Sequence, residues 1–293
     1  MLGVIGDIVQ DVVVWQEEPV RHASDTKSTI HITRGGSAAN VAAFAGPRTP
    51  TTFIGSVGDD LAGFALTKDL EQRGVTVKMQ VHSAPTGTIV VQIDDAGERN
   101  MFPSRGASGE LETIDEQWLE GIDLLHITAY SLEQEPTRSS VIDAAKRVHQ
   151  RGGKVCFDLS SLFTMDLLGD ELYLAYVKEI DPDFLSANSD ESERMDLAQG
   201  DIPGGNLKNF PHATLLSRNG AEATRVFREG KLCAVVPVEP APVIRDLTGA
   251  GDAFNAGYLV SYIADGDDPV VNVRKAHQLA RSVLAYPGAA EPL

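Results

Sequence analysis

The chain has 293 residues, enough for one large α/β domain with a small appendage or for two modest domains, either of which buries a core without a covalent staple. Forty-two acidic against 25 basic residues leave a formal charge of −17, which disfavours docking on DNA, RNA or anionic lipid, although a local site can still neutralise a small phosphate ligand. No stretch approaches the roughly 20 apolar residues of a membrane span, and the start at Met1 lacks the basic and long apolar regions of a leader, so a cytoplasmic protein is expected.

Residues 2–8 read as a short buried strand ending at Gly6-Asp7, which puts a carboxylate at a strand's carboxyl end, where open α/β sheets keep ligands. Residues 11–15 and 26–33 are rich in β-branched types and flank a polar loop with Pro19, a hairpin-like excursion. Gly35-Gly36 opens a helix over residues 37–45 that Pro47 ends, and residues 51–57 form the next strand. Helical spacing runs over residues 61–72, with Gly74 as the stop and Asp59 or Asp60 as the N-cap. Residues 75–81 and 86–93 alternate as strands, 94–97 make a turn, and 98–102 return. The two excursions are expected to form one small sheet, a lid built from about residues 10–34 and 75–102.

From about residue 120 the alternation is regular: strands at 124–128 and 154–158, helices at 136–150 and 170–178. Short strands at 184–186 and 214–216 and a hairpin at 222–227 and 231–238 follow, and helices at 250–264 and 270–286 close the chain. The pattern predicts an α/β fold: a doubly wound, mostly parallel sheet with helices on both faces, in one unit over residues 1–293. Cys156 and Cys233 have no C-x-x-C pairing and no His cluster beside them, and are read as buried free thiols.

Asp246-Leu247-Thr248-Gly249-Ala250-Gly251-Asp252 is a glycine-rich turn running into a helix. Free N–H groups at such a helix start, with the helix dipole, can cradle a phosphate, and Asp252 beside it can take a proton from an attacking hydroxyl. A capped helix start is the local alternative. Gly35-Gly36 before an Ala-rich helix lets a ligand approach closely, and Asn40 offers both a donor and an acceptor; on local grounds this too reads as structural. Asp7 and Asp11 suit polyol donors or a strand-end turn. Asn188-Ser189-Asp190-Glu191 reads equally as a capped helix. Gly3, Gly6 and Val9 give only a broken dinucleotide fingerprint, which argues against a dehydrogenase.

Taken in order from Gly6 to Ala289, these segments resemble the ribokinase-like (pfkB) family of carbohydrate kinases. The 246–254 segment is similar to the family's second signature, implying Asp252 as catalytic base and Gly249, Ala250 and Gly251 as the anion hole. Gly35, Gly36 and Asn40 are similar to the acceptor-contacting Gly-Gly-x-x-x-Asn element, and Asp7 and Asp11 to the opening Gly-Asp-x-x-x-Asp, whose acids accept sugar hydroxyls. Asn188 and Glu191 resemble the Asn-x-x-Glu motif that orients Mg2+ through water. The Thr-x-Gly-x-x-Gly segment bordering the nucleotide is eroded: Leu215 and Ser217 stand at the Thr and first Gly, and only Gly220 survives. His277, with the exit at Pro287-Gly288-Ala289, falls on the adenine side. The resemblance also implies ATP as donor, a monovalent cation such as K+ near Asp246 and Thr248, and a homodimer through the lid. Arg105 is read as a partner for an anionic acceptor or as a surface residue. Phe157-Asp158 is not followed by the Arg that keto-deoxy sugar-acid kinases carry, which favours a neutral sugar or a nucleoside. A nucleoside kinase and a catalytically weak sugar- or nucleotide-binding regulator are the alternatives.

Overall fold

The structure, a computed structural model, describes residues 1–94, 99–286, 288, 289 and 291. In chain order it forms β1 (Leu2–Ile5), β2 (Val9–Gln16), β3 (Ser28–Gly35), α1 (Ser37–Ala45), β4 (Thr51–Gly58), α2 (Leu61–Gln72), β5 (Val75–His82), β6 (Thr88–Ile93) and β7 (Arg99–Ser104). Then come β8 (Leu124–Thr128), α3 (Thr137–Gln150), β9 (Lys154–Asp158), α4 (Leu162–Leu168), α5 (Asp170–Ile180), β10 (Phe184–Asn188), α6 (Ser189–Arg194), β11 (Ala198–Gln199) and β12 (Ile202–Pro203). The last elements are β13 (Thr214–Arg218), β14 (Thr224–Arg228), β15 (Lys231–Val236), α7 (Ala250–Asp265) and α8 (Pro269–Val283).

Nine strands make one sheet in the order β15-β14-β13-β10-β9-β8-β1-β4-β5. From β5 to β13 every pairing is parallel, and β14 and β15 add an antiparallel edge. One face buries Leu125, Val141, Phe157 and Tyr173, contributed by the sheet with α3 and α5. The opposite face buries Val41, Phe44, Leu259 and Val273 from α1, α7 and α8. Strands covered on both faces need no alternation, which is why β1, β4 and β8 are apolar or small nearly throughout. After β1 the chain builds outward to β4 and β5, then returns to β1's other side with β8. That reversal is the switch point at which the carboxyl ends of an open α/β sheet leave a crevice.

A second sheet, β3-β2-β6-β7, stands over that crevice. β2 pairs antiparallel with β3 and parallel with β6, and β7 closes antiparallel on β6. The expected lid segment 75–102 is corrected at its start: β5 belongs to the large sheet, paired in parallel with β4 from Thr51↔Val75 onward. Val75 is buried in the main core and Val77 and Met79 pack against it, so this strand's apolar side serves the domain. The turn expected at 94–97 and the strand start at Glu98 lie outside the described residues apart from Asp94. Asp60 is the N-cap of α2, accepting from Gly63 N at 2.8 Å. Cys156 is buried as expected, whereas Cys233 is exposed, because it points outward from the edge strand β15. Among the described residues no helix is long and apolar enough to cross a membrane.

Candidate active site

The carboxyl ends of five neighbouring parallel strands deliver Asp7 (just after β1), Thr128 (β8), Asp158 (β9), Asn188 (β10) and Arg218 (β13) to one edge. α1 and α7 point their N-termini at the same edge, and the cleft between it and the small sheet encloses about 1040 Å³. Of the residues singled out in the sequence, Asp7, Asp11, Gly36, Asn40, Arg105, Asn188, Glu191, Gly220, Thr248, Ala250, Gly251, Asp252 and His277 line it.

Asp252, in the first turn of α7, is held by two donors: Ser37 Oγ to Oδ1 at 2.6 Å and Asn40 Nδ2 to Oδ2 at 2.9 Å. Burial pushes its pKa up to about 7; the Ser37 and Asn40 bonds pull it down, and Asp158 and Asp7 add to the rise. Asn40 was expected to hold a ligand hydroxyl. Instead its amide bridges inward, with Oδ1 accepting from Arg34 Nε at 3.2 Å. Arg34 is itself buried against Asp69 and donates to Ala289 O at 3.0 Å. The chain Arg34–Asn40–Asp252 fixes which way the amide faces, and with it the carboxylate.

Asp7 and Asp11 have different duties. Asp7 Oδ2 accepts from Ser37 N at 2.9 Å, and Oδ1 from Ala38 N at 3.0 Å and Thr128 Oγ1 at 3.2 Å. It therefore ties the start of α1 to the end of β1, and Gly36 at φ 93° lets the chain turn there. Asp11, on β2 of the small sheet, has a buried Oδ1 with no partner among the described residues. Burial and the nearby Asp7 raise its pKa to about 6 against Arg34 and Arg105, so an incoming hydroxyl would satisfy a group now left wanting. Gly35 does not reach the cleft. Its missing side chain makes room for Asp11, whose Oδ1 would lie 2.1 Å from a Cβ there.

At the nucleotide end, Gly249 makes a left-handed turn (φ 78°) into α7, while Ala250 and Gly251 face the cleft. Ala250 N closes that turn on Leu247 O at 3.2 Å. Asp246 Oδ1 accepts from Thr248 N at 2.9 Å and Thr248 Oγ1 at 2.8 Å, and its Oδ2 accepts from Gly288 N at 2.8 Å. Asn188 and Glu191 form a reciprocal capping box on α6. Glu191 is buried, and its pKa is raised to about 7, first by burial and then by Asp158, against Arg218. His277 meets Thr224 Oγ1 at 2.8 Å and Phe254 across the cleft wall.

Two expectations shift. Ser217 does not border the cleft: its side chain is buried on Ser192 Oγ at 3.2 Å, and the alternation of β13 turns Arg218 into the cleft instead. Arg105 does line the cleft, but its guanidinium is paired twice with buried Glu133, at 3.0 and 2.9 Å, and lies over Tyr130. An internal carboxylate already occupies the fork expected for an anionic acceptor. Sequence reading passed over Ser37, Asp158 and Arg218; the signal for Asp158 was available, since it ends the strand expected at 154–158, whereas Arg218 lies two residues beyond the strand expected at 214–216 and ends β13 only in the structure.

A carboxylate fixed at a glycine-rich helix start, opposite an unsatisfied acid suited to hydroxyls and under a separate small sheet, defines a phosphoryl-transfer enzyme of α/β architecture. The chain belongs to the pfkB family of carbohydrate kinases, whose model matches residues 1–293. A fructokinase of Vibrio alginolyticus is 30% identical over 287 residues, covering 92% of this chain and 87% of that one. Two solved structures share the fold at a TM-score of 0.85 and 20% identity. The adenosine kinase of Sinorhizobium meliloti covers 100% of this chain and 96% of its own. The fructokinase of Xylella fastidiosa with bound ATP covers 98% and 93%.

Proposed function

We propose that this protein transfers the γ-phosphoryl group of ATP to a hydroxyl of a neutral sugar in the cytoplasm, with Asp252 as the base. The observation that carries the reading is Asp252 itself, held by two donors at the mouth of α7 with its pKa brought near neutrality. Asp11 accepts hydrogen bonds from the sugar, while Gly36 lets the sugar approach closely. Arg105, neutralised by Glu133, leaves the acceptor end without a free cation among the described residues, which speaks against a sugar acid or sugar phosphate. Phe163 and Tyr130 on the lining support a second reading, a nucleoside acceptor stacked on them.

The donor's triphosphate runs toward Ala250 and Gly251, with His277 at its nucleoside end. Among the described residues no three His, Cys, Asp or Glu side chains converge to hold a metal. The donor set nonetheless fits Mg2+, which keeps several waters: Glu191 and Asn188 would orient that hydration shell. Mg2+ supplies charge neutralisation between the phosphates. A monovalent cation such as K+ is proposed for the Asp246–Thr248 loop.

The deciding experiment is ADP release from Mg·ATP against pentoses, hexoses, sugar phosphates, sugar acids and nucleosides, run in K+ and in Na+. Turnover with a neutral sugar supports the first reading and turnover with nucleosides alone the second. No turnover with any acceptor removes both, and equal rates in the two salts remove the cation.

Asp252 works only when ionised, so kcat/KM is expected to rise with pH through about 7 and level off above it. Ser37→Ala deletes a bond to the charged form and should move the midpoint upward, as pH–rate profiles of the two proteins would record. A midpoint near the ordinary carboxylate range of about 4 would contradict the assignment.

The outer face of the small sheet exposes Ile30, Ile32 and Phe102, each more than half accessible, and the register joins them through Val12 and Val90 into an apolar surface that suits a partner. We propose a homodimer through this face; light scattering at micromolar protein should give twice the chain mass, and a monomer would refute it.

A further inference from the structure

We propose that Arg218 is a catalytic residue, its guanidinium contacting the transferring phosphoryl group at the mouth of α7, and that Asp158 is the positioning residue that holds it there. This rests on the kinase reading above. The side chain of Arg218 is 15% exposed and reaches the cleft from the end of β13. Nη1 sits against the first turn of α7: a Cβ on Gly251 would lie 2.4 Å from it. The guanidinium is thus one residue from Asp252, beside the amides to which the triphosphate runs. Nη2 is anchored on the buried carboxylate of Asp158 at 2.9 Å, and the guanidinium carbon lies 5.7 Å from the Phe254 ring centre. Nε is buried without a partner among the described residues.

The contrast with the other arginines of the cleft is informative. Arg105 spends its fork on Glu133, and Arg281 is paired with Glu239 at 2.6 Å. Arg218 is held through one nitrogen on one side, which leaves the rest of a rigid five-donor plane in the site. Phosphoryl transfer forms a bond from the acceptor oxygen to the γ-phosphorus and breaks the bond to the β-phosphate oxygen. The electron pair of the broken bond stays on ADP, and the acceptor proton passes to Asp252. Charge is carried on the equatorial oxygens throughout, and fixed N–H donors aimed at them stabilise the transition state more than the ground state. A long lysine-like point charge would not hold this orientation, which is why the Asp158 anchor matters.

The alternative is that Arg218 merely neutralises Asp158. Three variants separate the two: Arg218→Ala, Asp158→Asn, and the double variant, in which no buried charge is left unpaired. With Mg·ATP and the acceptor found above, Arg218→Ala is expected to lose about 10²–10³-fold in kcat, with acceptor KM within about threefold. The double variant should regain thermal stability while staying as slow, and free guanidinium should raise the rate of Arg218→Ala but leave Asp252→Asn unmoved. Asp158→Asn, which keeps the cation but loosens it, should fall between. A double variant turning over within about threefold of the native protein, or a rate indifferent to guanidinium, overturns the inference while the kinase reading stands. A native protein with no acceptor-dependent turnover overturns both.

Discussion

Asp252→Asn is expected to lower kcat by about 10²–10⁴-fold, the range for a positioned general base, without unfolding the protein. The amide can still accept one of the two bonds now made by Ser37 and Asn40, so the wall of the cleft is kept while the proton acceptor is lost. Stability should move the other way. A carboxyl whose folded pKa is about 7 instead of about 4 prefers to be neutral in the folded state. Ionising it costs nothing below about pH 4, where it is protonated whether folded or not. The cost grows between pH 4 and 7 and is complete above that. Thermal melts of the variant and the native protein should therefore coincide in acid and diverge in the variant's favour toward pH 8. A variant keeping more than a tenth of native kcat would remove Asp252 from the chemistry.

Gly36→Ala should be the most damaging small change in the acceptor half of the site. The position has φ 93°, and a Cβ would sit 2.5 Å from Asp7 O, 2.9 Å from Asp7 C and 2.9 Å from Ile8 Cα. Those atoms are backbone and cannot swing aside. A loss on the order of 3 kcal/mol or more is expected from strain and overlap together, read as a lower urea midpoint. Gly152→Ala is the control: its φ is 80° but a Cβ there meets nothing within 4 Å, so it should show left-handed strain alone, about 1 kcal/mol. Equal losses at the two positions would mean that the close passage at Asp7 does not constrain the acceptor floor.

Much of this architecture was legible in the chain. Ser37–Ala45 and Leu61–Gln72 came out with their observed bounds, because Gly36, Asp60 and Gly74 mark their limits and the apolar spacing between is regular. The lid was read from two strand-rich excursions, and all four strands of the small sheet fall within them. Val75–His82 was assigned to it wrongly, since alternation says that a strand has two different faces and nothing about which sheet it joins. α4 was missed, because seven residues do not repeat an apolar period long enough to be seen, whereas the six residues of α6 were legible through the capping pair Asn188 and Glu191. Cys233 followed the usual burial of thiols in the reading, whereas its place on an edge strand exposes it.

The candidate site divides the same way. The sequence by itself determined that a glycine-rich turn meets a helix at Asp252, that acids follow the first strand, and that the motifs come in one order, because these depend on neighbours along the chain. Only the tertiary structure decided what each side chain does. Asn40 turns inward to aim Asp252, Glu133 occupies Arg105, Ser217 is buried, and Arg218 takes its place in the cleft on an anchor 60 residues away in the chain, Asp158. Such partners are set by which strands lie side by side and which way each strand's last residue faces. Spacing along the chain does not encode them, and the pKa of a carboxylate follows the burial and charges that only those neighbours supply.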